Sequence, residues 1–234
     1  SRNYRPAAGR RKSRHFQCYE DVSKRFGKLV GIDPWLINPL FATCGEIDIH
    51  EAYGGECLRT HVDALLTKIR RKYKEYGIPE KPFVVVKADH GPRGMGIMTV
   101  RDVKDLAHIA PKPTGTGEPG PVPAGEVVIQ EGVLAGERIH DAVAEPVVYM
   151  IDRYVVGGFY RIHAERGSDD SLCAPGTRFV PLPFAGNAHL PRPGAKGEAA
   201  APNRFYMYGV IARLAMAAAS YELEATDPEL QEVD

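Results

Sequence analysis

Apolar residues recur at spacings of three and four at Phe16, Tyr19, Val22, Phe26, Leu29 and Val30, behind Ser13, a favourable N-cap residue. The spacing predicts a helix that Gly31 ends, with Asp33-Pro34 opening a turn. A clearer stripe runs through Leu58, Val62, Leu65, Leu66, Ile69, Tyr73 and Tyr76. Lys68, Arg70, Arg71, Lys72 and Lys74 gather toward its C-terminal half, where the helix dipole favours cations. Gly77 reads as its left-handed stop and Pro79 as the breaker. A last helix is expected from about Asn203 to Glu224, with alanines that permit close packing against a sheet or another helix.

Other stretches have the strand period. Cys44, Glu46, Asp48 and His50 alternate with Ile47 and Ile49, which predicts a strand with one polar face, broken by Gly54-Gly55. Phe83-Val84-Val85-Val86 is a continuous run rich in β-branched residues, the pattern of a buried strand. Ile97–Val100 and Val127–Glu131 read as further strands, with a short helix from about Arg101 to Ile109. Residues 145–156 and 159–164 are expected to form a hairpin turning at Gly157-Gly158. Residues 110–125 and 166–202 are rich in Pro and Gly and predict no regular element.

Charge and composition narrow the function. The 234 residues carry 30 Lys plus Arg against 30 Asp plus Glu, a balance that argues against a nucleic-acid binder. The basic arm over residues 1–14 is either solvated or an anion contact. No run of 18 apolar residues occurs, so no membrane span is predicted. The four cysteines form no C-x-x-C pair and are too sparse for a disulfide framework. With no apolar leader at Ser1–Tyr4, a cytoplasmic chain is expected.

The segment Val84–Val100 holds the most specific chemistry. Gly91-Pro92-Arg93-Gly94-Met95-Gly96 lacks the Lys-Ser or Lys-Thr of a Walker A loop. It also lacks the G-x-G-x-x-G spacing and the following helix of a Rossmann turn. A glycine loop between two antiparallel strands can instead fold over a triphosphate with its backbone N–H groups. Lys87, ending the first strand, can reach phosphate oxygens, and Val127–Glu131 can supply an adenine hinge and a ribose carboxylate. The later hairpin offers Asp152, Arg153, Arg161, His163 and Glu165. This order of parts is that of an ATP-grasp fold. The alternative is a plain glycine turn with an exposed Lys87, and Arg161 with Glu165 as a solvated cross-strand ion pair.

The strings FGKLVGIDPWLINPLF, CGEIDIHE, FVVVKADHGPRGMGIMTVRDVKDL, VIQEGVLAGERIHDAVAEPVVYMIDRYVVGGFYRIHAERG and NRFYMYGVIARLAMAAA resemble a bacterial family of glutamate–cysteine ligases of the ATP-grasp type. The resemblance covers most of residues 10–224, and the chain looks like the C-terminal part of the family's length. It implies an α/β (α+β) fold of ATP-grasp-like antiparallel sheets with packed helices. Residues 1–78 would be the remnant of a substrate-side domain and 79–234 the nucleotide-binding region. It implies ATP-dependent joining of the glutamate γ-carboxyl to the amine of cysteine, through an acyl phosphate, as the first step of glutathione synthesis.

On this reading Lys87 and Arg161 serve catalysis. Lys87, Asp89, Gly91, Arg93, Gly94, Met95, Gly96, Gln130 and Glu131 bind ATP. Asp152 and Glu165 hold Mg2+, and Glu46, Asp48 and His50 face the amino-acid substrates. The expected partners are small molecules, with no nucleic acid and no membrane. Two rivals remain: an ATP-binding homologue without ligase activity, and a zinc hydrolase on residues 44–61, where Cys44, Glu46, Asp48, His50, Cys57 and His61 offer ligand types.

Overall fold

The structure, a computed structural model, describes residues 11–47, 52–90, 97–108, 125–139, 141–163, 178–182 and 204–225. Its helices are α1 (Lys12–Val30), α2 (Ala52–Tyr76) and α3 (Arg204–Glu224). Its strands are β1 (Phe41–Ile47), β2 (Val84–Ala88), β3 (Met98–Val100), β4 (Gly125–Glu131), β5 (Glu137–Ile139), β6 (Ala142–Ile151), β7 (Tyr154–His163) and β8 (Arg178–Pro181). They form two antiparallel sheets, ordered β1-β4-β2-β3 and β5-β6-β7-β8, the mixed α/β class expected. The chain divides into two units, Ser1–Gln17 with Asn38–Val133, and Cys18–Ile37 with Leu134–Asp234. The expected boundary at 78/79 falls inside the first unit, where β1 pairs with β4.

In the first unit the register aligns Thr43, Val128 and Lys87 across three strands, and beside them Cys44, Val127 and Ala88. Residues opposite one another share a face, and neighbours along a strand alternate. Phe41, Thr43, Val85, Lys87, Val128 and Gln130 therefore lie on one face. Ala42, Cys44, Val84, Val86, Val127, Ile129 and Glu131 lie on the other. Helix α2 packs on this second face, touching β1, β4 and β2 through its stripe of Leu58, Val62, Leu65, Leu66, Ile69 and Tyr73. Each such side chain stabilises the fold by roughly 1.5–3 kcal/mol. Tyr76, expected on that stripe, is exposed, with the Lys72 ammonium 5.7 Å from its ring centroid.

The predicted stop of α2 is borne out. Gly77 has φ +66°, and the N–H groups of Gly77 and Ile78 donate to the carbonyls of Lys74 and Tyr73, the Schellman pattern. Its start differs: α2 takes in Gly54 and Gly55, which were expected to end the preceding strand. Strand β1 begins earlier, at Phe41, and its ladder slips between Cys44 and Ile47. The simple alternation expected from Cys44 onward therefore breaks at Gly45-Glu46.

Helix α1 ends at Gly31, φ +75°, as expected, but Ser13 is not its N-cap. The helix begins at Lys12, and a side chain distant in sequence takes the capping role, as described below. Tyr19 and Val22 are buried against Ala218 of α3, whereas Leu29 and Val30 are exposed.

In the second unit the hairpin β6–β7 turns at Asp152-Arg153, not at Gly157-Gly158. Asp152 supplies the left-handed conformation, φ +51°, that Asp adopts more readily than most residues. The two glycines lie inside β7, beside a register slip opposite Tyr149/Met150, a bulge position that glycine also suits. Strands β5 and β8 are short additions that carried no clear sequence period. One face of this sheet carries Ala144, Tyr160 and Ile162, which cluster with Leu182 and with Phe205 and Tyr208 from α3. The other carries Glu145, Tyr149, Phe159, Arg161 and Phe179.

Candidate functional site

Lys87, one residue before the end of β2, has no carboxylate partner among the described residues. The Lys87 ammonium donates to Gln130 Oε1 at 2.5 Å and stands 4.9 Å from the centroid of the Phe16 ring. Desolvation by burial, aided by the neighbouring Lys12 charge, pushes its pKa down to about 8. Lys12 is itself occupied, donating to the carbonyls of Ala88 at 2.8 Å and Asp89 at 3.4 Å. Two cations on neutral oxygens and a ring face form a site that an anion would relieve.

Glu131 and Asp89 are corrections to the expected ATP contacts. Glu131 is 4% exposed, lies on the face under α2, and accepts the Leu40 N–H at 2.8 Å. Its charge also raises the pKa of Tyr73 on α2, behind the larger effect of burial. Neighbours in a strand point to opposite faces, so Gln130 and Glu131 do not present their side chains to one ligand. Asp89 is 3% exposed, and its two carboxylate oxygens accept from the backbone N–H and the hydroxyl of Ser13, both at 2.7 Å. It caps α1 from across the unit, so this carboxylate is a structural group.

Arg161 sits opposite Glu145 in the second sheet, with Nη2 to Oε2 at 3.7 Å. Both side chains are partly buried, so this is no solvated surface pair. The Arg161 Nε is buried and has no hydrogen-bond partner among the described residues.

Asp152 is exposed at the turn end of the β6–β7 hairpin. His163 is the far end of β7, about 30 Å away at strand rise. Glu165 lies outside the described residues, but two residues of chain reach at most about 7 Å. Asp152 and Glu165, the pair expected to hold magnesium, therefore cannot ligate one ion.

A sequence pattern decides the family. That of Glutamate-cysteine ligase matches residues 7–223. The chain belongs to the glutamate-cysteine ligase family. It is also similar to a crystal structure from Methylobacillus flagellatus KT, provisionally named a gamma-glutamylcysteine synthetase, with 52% sequence identity and a TM-score of 0.79. The match covers 94% of this chain and 52% of that one, so the chain spans about half the length of that relative. No protein of curated function matches significantly.

For this glutamate-cysteine ligase family member, several expected residues lie outside the described ones: Gly91, Arg93, Gly94, Met95, Gly96, Asp48, His50 and Glu165. The flanks of the glycine loop are described, and β2 and β3 pair antiparallel as expected. Glu46 belongs to β1, and its side chain lies outside the description.

Sequence reasoning missed Phe16, which looked like ordinary helix core, and the role of Lys12, which looked like part of a basic arm. Of the ligand types that the sequence offered for zinc over residues 44–61, the structure brings Cys44, Cys57 and His61 together. One ligand atom from each lies within 4.8 Å of the others. Burial, with the Cys57 thiol beside it, pushes the Cys44 thiol up to about 12. The i,i+4 spacing of Cys57 and His61 on a helix was the available signal.

No described helix is long and apolar enough to cross a membrane.

Proposed function

We propose that the chain carries the ATP-handling part of an ATP-grasp ligase that joins the γ-carboxyl of glutamate to the amine of cysteine. The observation that carries this reading is Lys87, a desolvated ammonium with neutral partners at the mouth of the glycine-loop hairpin. Membership of the glutamate-cysteine ligase family supplies the reaction class.

Transfer of the terminal phosphoryl of ATP to the glutamate γ-carboxylate gives an acyl phosphate and ADP. The cysteine amine then attacks the acyl carbon, the C–N bond forms, phosphate leaves, and the amine loses a proton. Such transfer depends on positioning and charge stabilisation, not on a protein nucleophile. Lys87 holds the phosphates, with Gln130 fixing its ammonium. Gly91, Arg93, Gly94, Met95 and Gly96 close over the nucleotide and keep water from the acyl phosphate. Arg161 stabilises the transferring charge, a role favoured by its buried Nε, which has no hydrogen-bond partner among the described residues. Glu46, Asp48 and His50 face the amino-acid substrates. The residues first expected to hold magnesium do not fit one ion, so no step is assigned to that metal.

ADP release, measured with each amino acid omitted in turn, tests the proposal. Turnover that needs both glutamate and cysteine supports it. Intact ATP binding with background turnover under all conditions reduces it to nucleotide binding alone.

A further inference from the structure

We propose that Cys44, Cys57 and His61 form a structural zinc site that fastens the first turns of α2 to β1. The side chains come from the two elements that need joining. Cys57 and His61 are one turn apart on α2, and Cys44 is on β1, on the sheet face that α2 covers. Tetrahedral zinc with bonds of about 2.3 Å to sulfur and 2.0–2.1 Å to nitrogen has ligand–ligand edges of about 3.5–3.8 Å. Cys57 Sγ and His61 Nδ1 are already 3.6 Å apart. All three ligand atoms lie within 4.8 Å of one another, so closing the remaining edges takes about 1 Å of side-chain movement.

The donor set selects the ion. Two thiolates and an imidazole suit a soft or borderline cation, whereas magnesium and calcium take oxygen. His61 Nδ1 lies 2.9 Å from the Cys57 carbonyl, to which it donates a hydrogen bond. On binding, that proton moves to Nε2 and Nδ1 turns to the ion. Each thiol loses one proton, so one Zn2+ displaces two protons. Water takes the fourth position of the tetrahedron.

The location assigns the role. Cys44 and Lys87 are on opposite faces of one sheet, because Cys44 aligns with Ala88 and Lys87 aligns with Thr43. The ion therefore lies across the sheet from the phosphate cation and takes no part in phosphoryl transfer. The β1 ladder slips between Cys44 and Ile47, so backbone pairing is interrupted beside the site. A metal cross-link there would hold the corner that the interrupted ladder holds less well.

The test is titration of the reduced, metal-stripped chain with Co2+ and then Zn2+. The expected result is one ion per chain, with intense tetrahedral d–d bands, thiolate-to-cobalt charge transfer, and two protons released per zinc. Cys57→Ser, at an exposed position that folding tolerates, should weaken zinc affinity by about 100-fold or more and reduce the charge-transfer band. Cys18→Ser should change neither. Chelation of zinc and Cys57→Ser should both leave ATP affinity unchanged. A weak octahedral cobalt spectrum would overturn the site, as would equal zinc retention in Cys57→Ser. A zinc-free chain that loses ATP binding while keeping its helical circular dichroism would overturn the structural role.

Discussion

Gln130 and Glu131 are neighbours in β4, yet their side chains emerge on opposite faces of the first sheet. Gln130 accepts from the Lys87 ammonium, and Glu131 accepts from the Leu40 backbone N–H beneath α2. One serves the candidate phosphate site and the other serves the fold. Glu131→Ala is expected to strand the Leu40 N–H and cost about 2–4 kcal/mol in urea unfolding. ATP affinity measured in the folded fraction should stay within about twofold of the parent. A tenfold loss would return Glu131 to the nucleotide.

Asp89 follows the same logic. Its carboxylate satisfies the Ser13 N–H and hydroxyl at the start of α1. Asp89→Ala should destabilise the chain by about 1–3 kcal/mol, read as a shift of the denaturant midpoint. Asp89→Asn keeps an acceptor and should recover part of that loss. Equal stability of all three proteins would contradict the capping role.

Much of this was legible from residue pattern alone. The αL stops at Gly31 and Gly77, the buried run of β2 and the antiparallel flanks of the glycine loop follow from local rules. The corrections share one physical origin, which is that distant partners decide. Ser13 resembles an N-cap, but a carboxylate 76 positions away supplies the cap. Gly157-Gly158 resembles a hairpin turn, but the pairing of the long strands puts the turn at Asp152-Arg153. The glycines are paired with Tyr149 and Val148 in the ladder, beside a bulge in β7. For Glu131 the alternation rule was available in sequence, and only the side on which α2 lies was not.

Gly132 marks a close approach. Its N–H donates to the Phe83 carbonyl at 2.8 Å, and a Cβ at this position would overlap the Phe83 ring. Gly132→Ala is expected to cost about 1–3 kcal/mol through overpacking. Phe83→Leu in the same chain should recover part of that cost, and a double-mutant cycle would measure the coupling. Strict additivity would contradict the contact.

The depressed pKa of Lys87 has two signed consequences. A phosphate ligand favours the protonated ammonium, so ATP affinity should fall as pH rises through about 8. Lys87→Arg, charged throughout, should flatten that dependence if it is accommodated. For stability the sign is opposite. Between about 8 and the ordinary lysine value of 10.5 the unfolded chain binds more protons, so this group makes the fold more stable as pH rises. Lys87→Met removes the desolvated charge and should raise the melting temperature at pH 7 while weakening ATP binding. ATP affinity that stays flat from pH 7 to 9 would place the phosphates elsewhere.

Calorimetric titration of ATP into the parent chain and into Lys87→Ala, at pH 7 and matched folded fraction, tests the central claim most directly. The structure predicts at least a tenfold weaker affinity in Lys87→Ala, about 1.4 kcal/mol or more, with the circular dichroism spectrum unchanged. Equal affinity in the two folded proteins would contradict the assignment of the ATP phosphates to Lys87.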